Sequence, residues 1–240
     1  NLSGEPMAGV RWTRNKKRDF TNSRVGINET LTKQIHNCLR PPSVFISANA
    51  IGIYGDRGAN ILKETSSLGS GFIPKLCSEW EQAALKAKKC GTRVCSLRIG
   101  VVIGREGGML KRLIPWFKMG LGNYIGDGTQ KVSWIHIIDV VRAIEFCLSN
   151  EEIDGPVNLT SPFPVTSKEF SSILATITRT KVILPIPSFL LKIRFGEGEQ
   201  VLKYSLNVIP NKLMEAGYEF MYESLISALK DAMEEAKKTG

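Results

Sequence analysis

The sequence lacks any C-x-x-C spacing, and its five cysteines, Cys38, Cys77, Cys90, Cys95 and Cys147, are odd in number. That argues against a disulfide framework and a zinc site, so no metal is expected and a reducing compartment is, cytoplasmic or organellar. There is no run of eighteen apolar residues, which excludes a membrane-spanning helix. Histidine is scarce, with only His36 and His136. The chain opens Asn-Leu-Ser-Gly without a methionine or a signal-like leader, and the expectation is that it starts inside a longer protein. No internal repeat and no low-complexity tract occurs.

What is present is ordinary for a globular protein: 240 residues, 42% of them hydrophobic and 23% charged, enough to bury a sizeable core. The 32 basic residues outnumber the 23 acidic ones, for a net charge of +9. Such an excess suits nucleic acid or small anions such as dinucleotides. The basic residues are scattered, at 11–18, 86–89 and 111–118, and no nucleic-acid motif accompanies them. A small-molecule substrate is therefore the expected partner, with neither nucleic acid nor membrane, and a homo-oligomer is compatible.

Val44, Phe45 and Ile46, after Pro41-Pro42, form a short β-favouring run of the kind covered on both faces of a parallel sheet. The polar, glycine-rich stretch from Ser47 to Gly58 follows at its carboxyl end. Ligands of open α/β sheets bind there, which makes Ser47, Asn49 and Tyr54 the first functional candidates, unless the glycines merely turn the chain.

Apolar spacing predicts helices over 18–39 and 72–90, and a second buried strand over 93–103. Helix, strand, helix and strand then alternate as in right-handed parallel crossovers. Beyond them the patterns predict a helix over 107–117, a glycine-rich loop over 120–130, and a strand over 132–136. A helix headed by Asp139 and a strand over 157–159 follow. Thr166 and Glu169 form a capping box for the next helix. Pro185 and Pro187 mark a change of organisation. After it come helical pieces over 189–195, 197–204 and 211–216, a cap at Gly217, a strand over 218–222, and an amphipathic helix over 225–236. Phe189, Leu190, Phe195, Phe220 and Leu225 are too few for a core of their own and are expected to pack over the mouth of the sheet.

Several segments then form a set: Asn1-Leu-Ser-Gly-Glu-Pro, Arg11-Trp12, Ser23-Arg24, Ser47-Ala-x-Ala-x-Gly-x-Tyr-Gly-Asp, Trp80-Glu81, Leu97-Arg-Ile-Gly-Val-Val, Gly107-Gly108 and Ser133-Trp-Ile-His. Together they resemble the NAD-dependent epimerase/dehydratase-like branch of the short-chain dehydrogenase/reductases. Leu184-Pro-Ile-Pro, Phe195-Gly-Glu-Gly, Val208-Ile-Pro, Leu213 and Ala216-Gly-Tyr-Glu-Phe match the small C-terminal domain, of undefined role, that ends its atypical epimerase family. The resemblance implies an α/β fold: a doubly wound, Rossmann-like parallel sheet over 1–162 and a smaller α/β cap over 163–240. It implies NAD or NADP as cofactor, and hydride transfer on a small carbonyl or hydroxyl substrate. The family's first strands and their glycine-rich, pyrophosphate-binding turn have no counterpart in these residues. The N-terminal strands are thus expected to be missing, the edge at Val44 to be bare, and cofactor binding by residues 1–240 alone to be compromised.

For the site, the expected cofactor contacts are Asn1, Gly4, Ser47, Arg98 and Gly100, of which the resemblance puts Arg98 and Gly100 beside the nicotinamide, and the catalytic candidates are Ser47, Asn49, Tyr54 and His136. The Tyr-x-x-x-Lys pair of short-chain dehydrogenases, in which a lysine lowers the pKa of a proton-transferring tyrosine, has Ile73 and Cys77 at its positions when anchored on Glu81. Asn49 stands where relatives carry Ser or Thr. Tyr54 is the candidate acid, or else an aromatic that closes the loop over the cofactor. His136 is a titratable candidate or a satisfied structural residue, and Asp139 an N-cap rather than its partner. Arg98 is a nicotinamide-side residue or a turn-stabilising one, and Cys77 a nucleophile or an inert buried thiol. Two functions stay open, an NAD(P)-dependent oxidoreductase or epimerase and a catalytically silent binding or regulatory protein.

Overall fold

The computed structural model describes residues 1–104 and 107–234. Its central sheet has three parallel strands, β1 (Val44–Ala50), β2 (Arg93–Ile99) and β3 (Gly155–Leu159), in that spatial order. The register places Ser47 beside Ser96, Asn49 beside Arg98, and Arg98 beside Asn158. Because side chains alternate across a strand, this gives the sheet one polar face and one apolar face. Ile46, Cys95, Leu97, Val157 and Leu159 pack on the apolar side against Val140, Ala143 and Cys147 of the helix Ile137–Ser149. The polar side lies under the helix Phe72–Leu85.

The amino group of Asn1 donates to the carbonyl of Ile46 (2.7 Å), and its own carbonyl accepts from the amide of Ala48 (2.8 Å). Bonding to residues on either side of Ser47 is the pattern of a parallel bridge, so the free edge of β1 is paired at this point. The chain then runs on past the carboxyl end of the sheet. The helix expected over 18–39 is longer, Arg14–Thr21 and Ile27–Asn37 joined by a π-helical turn at Asn22–Gly26. The helix expected over 72–90 tightens to 3₁₀ geometry at Lys86–Cys90.

The strand expected over 93–103 is two strands. Gly100 breaks it, and Val101–Ile103 leaves the central sheet to pair in parallel with Trp134–His136. A Cβ at Gly100 would lie 2.7 Å from the carbonyl oxygen of Ser133 and 2.9 Å from the Thr160 methyl, so only glycine permits the two sheets to approach this closely. Part of the expected loop over 120–130 is instead the strand Leu121–Ile125, which pairs with Val182–Ile186 from far along the chain. The expected strand over 218–222 does not form. The amides of Met221 and Tyr222 donate to the buried carboxylate of Asp139, at 2.7 and 2.9 Å, in place of a ladder. Asp139 is thus a tether for the C-terminal segment, and the helix it was expected to cap is capped by His136. The capping box at Thr166 and Glu169 forms, and Gly217 takes the left-handed conformation at φ +77.

A second core joins Ile103, Leu110, Phe117 and Trp134 to Phe170, Leu174, Leu225 and Leu229. It draws on both sides of residue 162, where the two regions were expected to part. Leu225 and Phe220 pack inward, but Phe189 and Leu190 do not: they are 62% and 46% exposed. The last helix is described as Leu225–Glu234, and residues 235 and 236, expected to belong to it, lie outside the described residues.

Replacing Asp139 by Ala should strand two backbone amides and lower stability by about 3 kcal/mol. Urea unfolding measures the loss, and limited proteolysis should locate new cleavage at 217–224. A variant as stable as the parent would show that the tether is idle.

Candidate functional site

The polar face of the sheet closes over a connected network. Glu81, from the helix Phe72–Leu85, accepts from Nε and Nη2 of Arg98 at 2.9 and 2.7 Å, with side chains only 5% and 3% exposed. The same carboxylate accepts from Ser96 Oγ (3.0 Å) and Asn49 Nδ2 (3.3 Å). Arg98 Nη1 donates to the Tyr54 hydroxyl (2.8 Å) and the Glu64 carbonyl (3.1 Å), and Tyr54 donates to Asn158 Oδ1 (2.6 Å). Asn158 returns its backbone amide to the Glu64 carboxylate (3.0 Å) and its side-chain amide to the carbonyl of Ile209 (3.0 Å). A bidentate Arg–carboxylate pair is among the stronger polar contacts in a protein interior, and further hydrogen bonds from Arg98 Nη1 and to Glu81 help to offset the cost of its burial.

These bonds locate most of the residues chosen from the sequence. Asn49, Tyr54 and Arg98 share one network, and all three are buried. Ser47 lies alongside it, its hydroxyl accepting from Asn28 Nδ2 (2.9 Å), while Asn1 Nδ2 donates to Asn28 Oδ1 (2.7 Å). The phenol of Tyr54 is raised above its ordinary value of 10.0 by burial. Arg98 spends its donors on Glu81, Tyr54 and Glu64, and Gly100 serves strand packing. His136 belongs to a different group of side chains: its ring lies 3.9 Å from that of Tyr222, Nε2 faces the Asp231 carboxylate at 3.3 Å, and Nδ1 accepts from the amide of Ile138. Burial pushes the Cys77 thiol up to about 12, the condition of an inert thiol rather than a nucleophile.

The groups at the open, carboxyl end of the sheet are others. The π-helical turn carries Ser23 and Arg24, and Ser23 Oγ accepts from the amide of Glu5 (3.0 Å). A Cβ on Gly4 would lie 3.0 Å from the Arg24 guanidinium, which also sits 5.2 Å from the ring of Trp80. Arg24 is partly buried, which lowers its pKa, and among the described residues no carboxylate comes within ion-pair distance of it. The nearby carboxylate of Glu5 pairs with Lys16 instead, at 3.0 Å. On the other flank, residues 55–57 and 68–70 enclose a cleft of about 370 Å³ with Tyr204. The Tyr204 hydroxyl is 4.0 Å from where a Cβ on Gly71 would be, immediately before the helix Phe72–Leu85. The Arg24 guanidinium stacks on Trp80, three residues along the same helix from Cys77, and Tyr204 packs against the apolar cluster that contains Ile73 and Cys77. Arg24 appears in the sequence only as part of a motif, and Tyr204 lies 127 residues from Cys77, so chain pattern alone gives neither a role.

A parallel α/β sheet with its open end at the β1 loop defines a Rossmann-like protein of the short-chain dehydrogenase/reductase type. Residues 1–159 match the NAD dependent epimerase/dehydratase family, and residues 186–232 match a domain of unknown function, DUF1731. The chain belongs to the NAD dependent epimerase/dehydratase family. It is 37% identical over 236 residues to the chloroplastic SDR39U1 homolog of Arabidopsis thaliana, an epimerase family protein, covering 98% of this chain and 67% of that one. It is 30% identical to the epimerase family protein YfhF of Bacillus subtilis, covering 99% and 78%. The crystal structure of human epimerase family protein SDR39U1 (isoform 2) with NADPH superposes with a TM-score of 0.91 at 28% identity, covering 97% of this chain and 81% of that one.

Glu81→Gln should cost about 3–5 kcal/mol in denaturant unfolding, because it leaves the Arg98 guanidinium buried without its counter-charge. A loss below 1 kcal/mol would mean that water reaches the pair. The phenols of Tyr54 and Tyr218 are both held above 10.0, chiefly by burial, so the folded state keeps protons that the unfolded chain releases. Stability is then unaffected by these groups below about pH 10 and falls as pH rises beyond it toward the raised values. Tyrosinate absorbance during alkaline titration should therefore show Tyr54, Tyr218 and Tyr204, whose phenol burial also raises, ionising late or only on unfolding.

Proposed function

We propose that this protein is an NADP(H)-binding oxidoreductase or epimerase acting on a small carbonyl or hydroxyl substrate, and that Arg24 and Tyr204 supply the cation and the phenol that positions 77 and 73 do not. The observation that carries the reading is that Arg24, stacked on Trp80, and Tyr204, packed against the cluster of Ile73 and Cys77, come from separate elements to the helix Phe72–Leu85. The human relative solved with NADPH supports the choice of cofactor.

The residues at the open end suit a nicotinamide dinucleotide. Gly4 keeps the backbone low in front of a guanidinium that, among the described residues, forms no ion pair, and Asn1, Ser3 and Ser23 add polar atoms nearby. Asn1, Gly4 and Arg24 would hold the cofactor, which when bound donates or accepts the hydride. The cleft beside Tyr204, of about 370 Å³, is the size of a small-substrate pocket. Tyr204 gives or takes the proton at the substrate oxygen, and the Arg24 guanidinium meets negative charge on the cofactor. Ser47, Asn49, Tyr54 and Arg98 act from beneath, fixing the floor on which Ile51 to Gly55 rest, and His136 holds the C-terminal helix.

A catalytically silent binding protein is the second reading, favoured by the apolar pair Ile73 and Cys77, 6% and 4% exposed. Single-turnover oxidation of NADPH by the full-length protein against a panel of small aldehydes and ketones separates the two. Binding by calorimetry without oxidation of the cofactor by any member would establish the silent reading.

Arg24→Met should weaken NADPH binding about tenfold or more, equivalent to about 1.4 kcal/mol, without shifting the melting temperature. Tyr204→Phe should lower turnover by roughly 10²-fold or more and leave cofactor affinity unchanged, whereas Tyr54→Phe should act on stability. Turnover lost with Tyr54→Phe and kept with Tyr204→Phe would reverse these roles.

A further inference from the structure

Two segments joined by the strand pair Leu121–Ile125 and Val182–Ile186 share an unusual composition. From Gly107 to Ile125 and from Arg179 to Phe195 the sequence has no aspartate or glutamate, and it has seven basic residues: Lys111, Arg112 and Lys118 in the first segment, Arg179, Lys181, Lys192 and Arg194 in the second. Parallel pairing of Leu121–Ile125 with Val182–Ile186 brings the segments together. All seven basic side chains are exposed, and none forms an ion pair among the described residues.

Large apolar side chains are exposed among them. Leu121 and Val182, register partners, are 49% and 45% exposed, and Trp116 is 54% exposed on the helix leading to Leu121. On the helix Ser188–Phe195, which follows directly from Ile186, Phe189, Leu190 and Ile193 are 62%, 46% and 68% exposed. Their spacing of i, i+1 and i+4 sets them on one side of that helix. Leu191 alone of its large apolar residues is turned fully inward.

We infer that this face docks on the surface of an anionic lipid bilayer, with Trp116, Phe189 and Ile193 entering the headgroup boundary and the lysines and arginines meeting lipid phosphates and carboxylates. Interleaved aromatic and aliphatic groups with unneutralised cations are what an interfacial contact requires. A second copy is a poorer fit, since a twofold contact would set seven positive charges against seven with no acidic residue on either segment. A nucleic acid would gain nothing from Phe189, Leu190 and Ile193. The expectation of no membrane partner rests on the absence of a spanning helix, and an interfacial contact needs none.

The test is co-sedimentation of the full-length protein with vesicles of phosphatidylcholine, alone or with roughly one third phosphatidylserine, near physiological salt. The protein should sediment with the anionic vesicles at least about tenfold more than with the neutral ones. Phe189→Ser with Ile193→Ser, and separately Lys192→Glu with Arg194→Glu, should each remove most of the binding; all four side chains are exposed, so folding is spared. Trp12, Trp80 and Trp134 are buried, so a blue shift of tryptophan emission on binding reports Trp116. Equal sedimentation with both vesicle types, or none with either, would overturn the inference. So would a dimer in sedimentation velocity that the Phe189 and Ile193 changes dissolve.

Discussion

One buried ion pair sets the architecture of this chain. Arg98 stands in the middle strand of the sheet and Glu81 on the helix above it, and each reaches a different set of neighbours: Glu81 takes Ser96 and Asn49, Arg98 takes Tyr54 and Glu64. Through Tyr54 the network continues to Asn158 in the third strand. Burying two charges costs several kcal/mol per ion before the attraction between them is counted, so such a pair is a weak source of net stability. What it secures is register. A slip of one residue in β2 would turn Arg98 into the apolar core and leave Glu81 without a counter-charge, which few alternative packings survive.

The same network takes up the polar atoms of the residues first chosen from the sequence. Ser47, Asn49, Tyr54 and Arg98 are close together, as their common origin at the carboxyl ends of β1 and β2 suggested, yet their polar atoms face one another. In the proposed arrangement the reacting groups come from the flanks: a guanidinium from the helix before β1 and a phenol from beyond the proline-rich turn at 185–187. The floor is rigid and the working surface is assembled on it from distant segments.

Much of the fold was legible in the sequence. The strands at 44–46 and 157–159, the first part of the strand expected over 93–103, the capping box at Thr166 and the cap at Gly217 follow from local rules and form where those rules put them. The misses share a cause, since each was decided by a partner remote in sequence. Leu121–Ile125 reads as a glycine-rich loop until Val182–Ile186 pairs with it. Residues 218–222 read as a strand until Asp139 claims their amides. Gly100 reads as one residue of a strand until the Ser133 carbonyl crowds it. For the site, the alternation Ser-x-Asn in β1 and Ser-x-Arg in β2 already marked one polar face, but nothing in the pattern said that it would be sealed. Arg24 stood in a motif without a role, and Tyr204 had no local signal.

The π-helical turn at Asn22–Gly26 sets the angular position of everything that precedes it on that helix. Such a turn amounts to one residue more than an α-helix needs, and one residue is about 100° of rotation. Deleting a single position there would let regular α-geometry close up and would swing Thr13 to Thr21, with Phe20 and the contacts of Trp12, about a quarter of the way round relative to Asn28. Phe20 and Asn28 are both fully buried, in different environments, and only the irregular turn lets one helix satisfy both. The length of this segment is therefore as constrained as its composition, and natural variants should tolerate substitution at Asn22 or Gly26 far more readily than any change in residue number between Phe20 and Asn28.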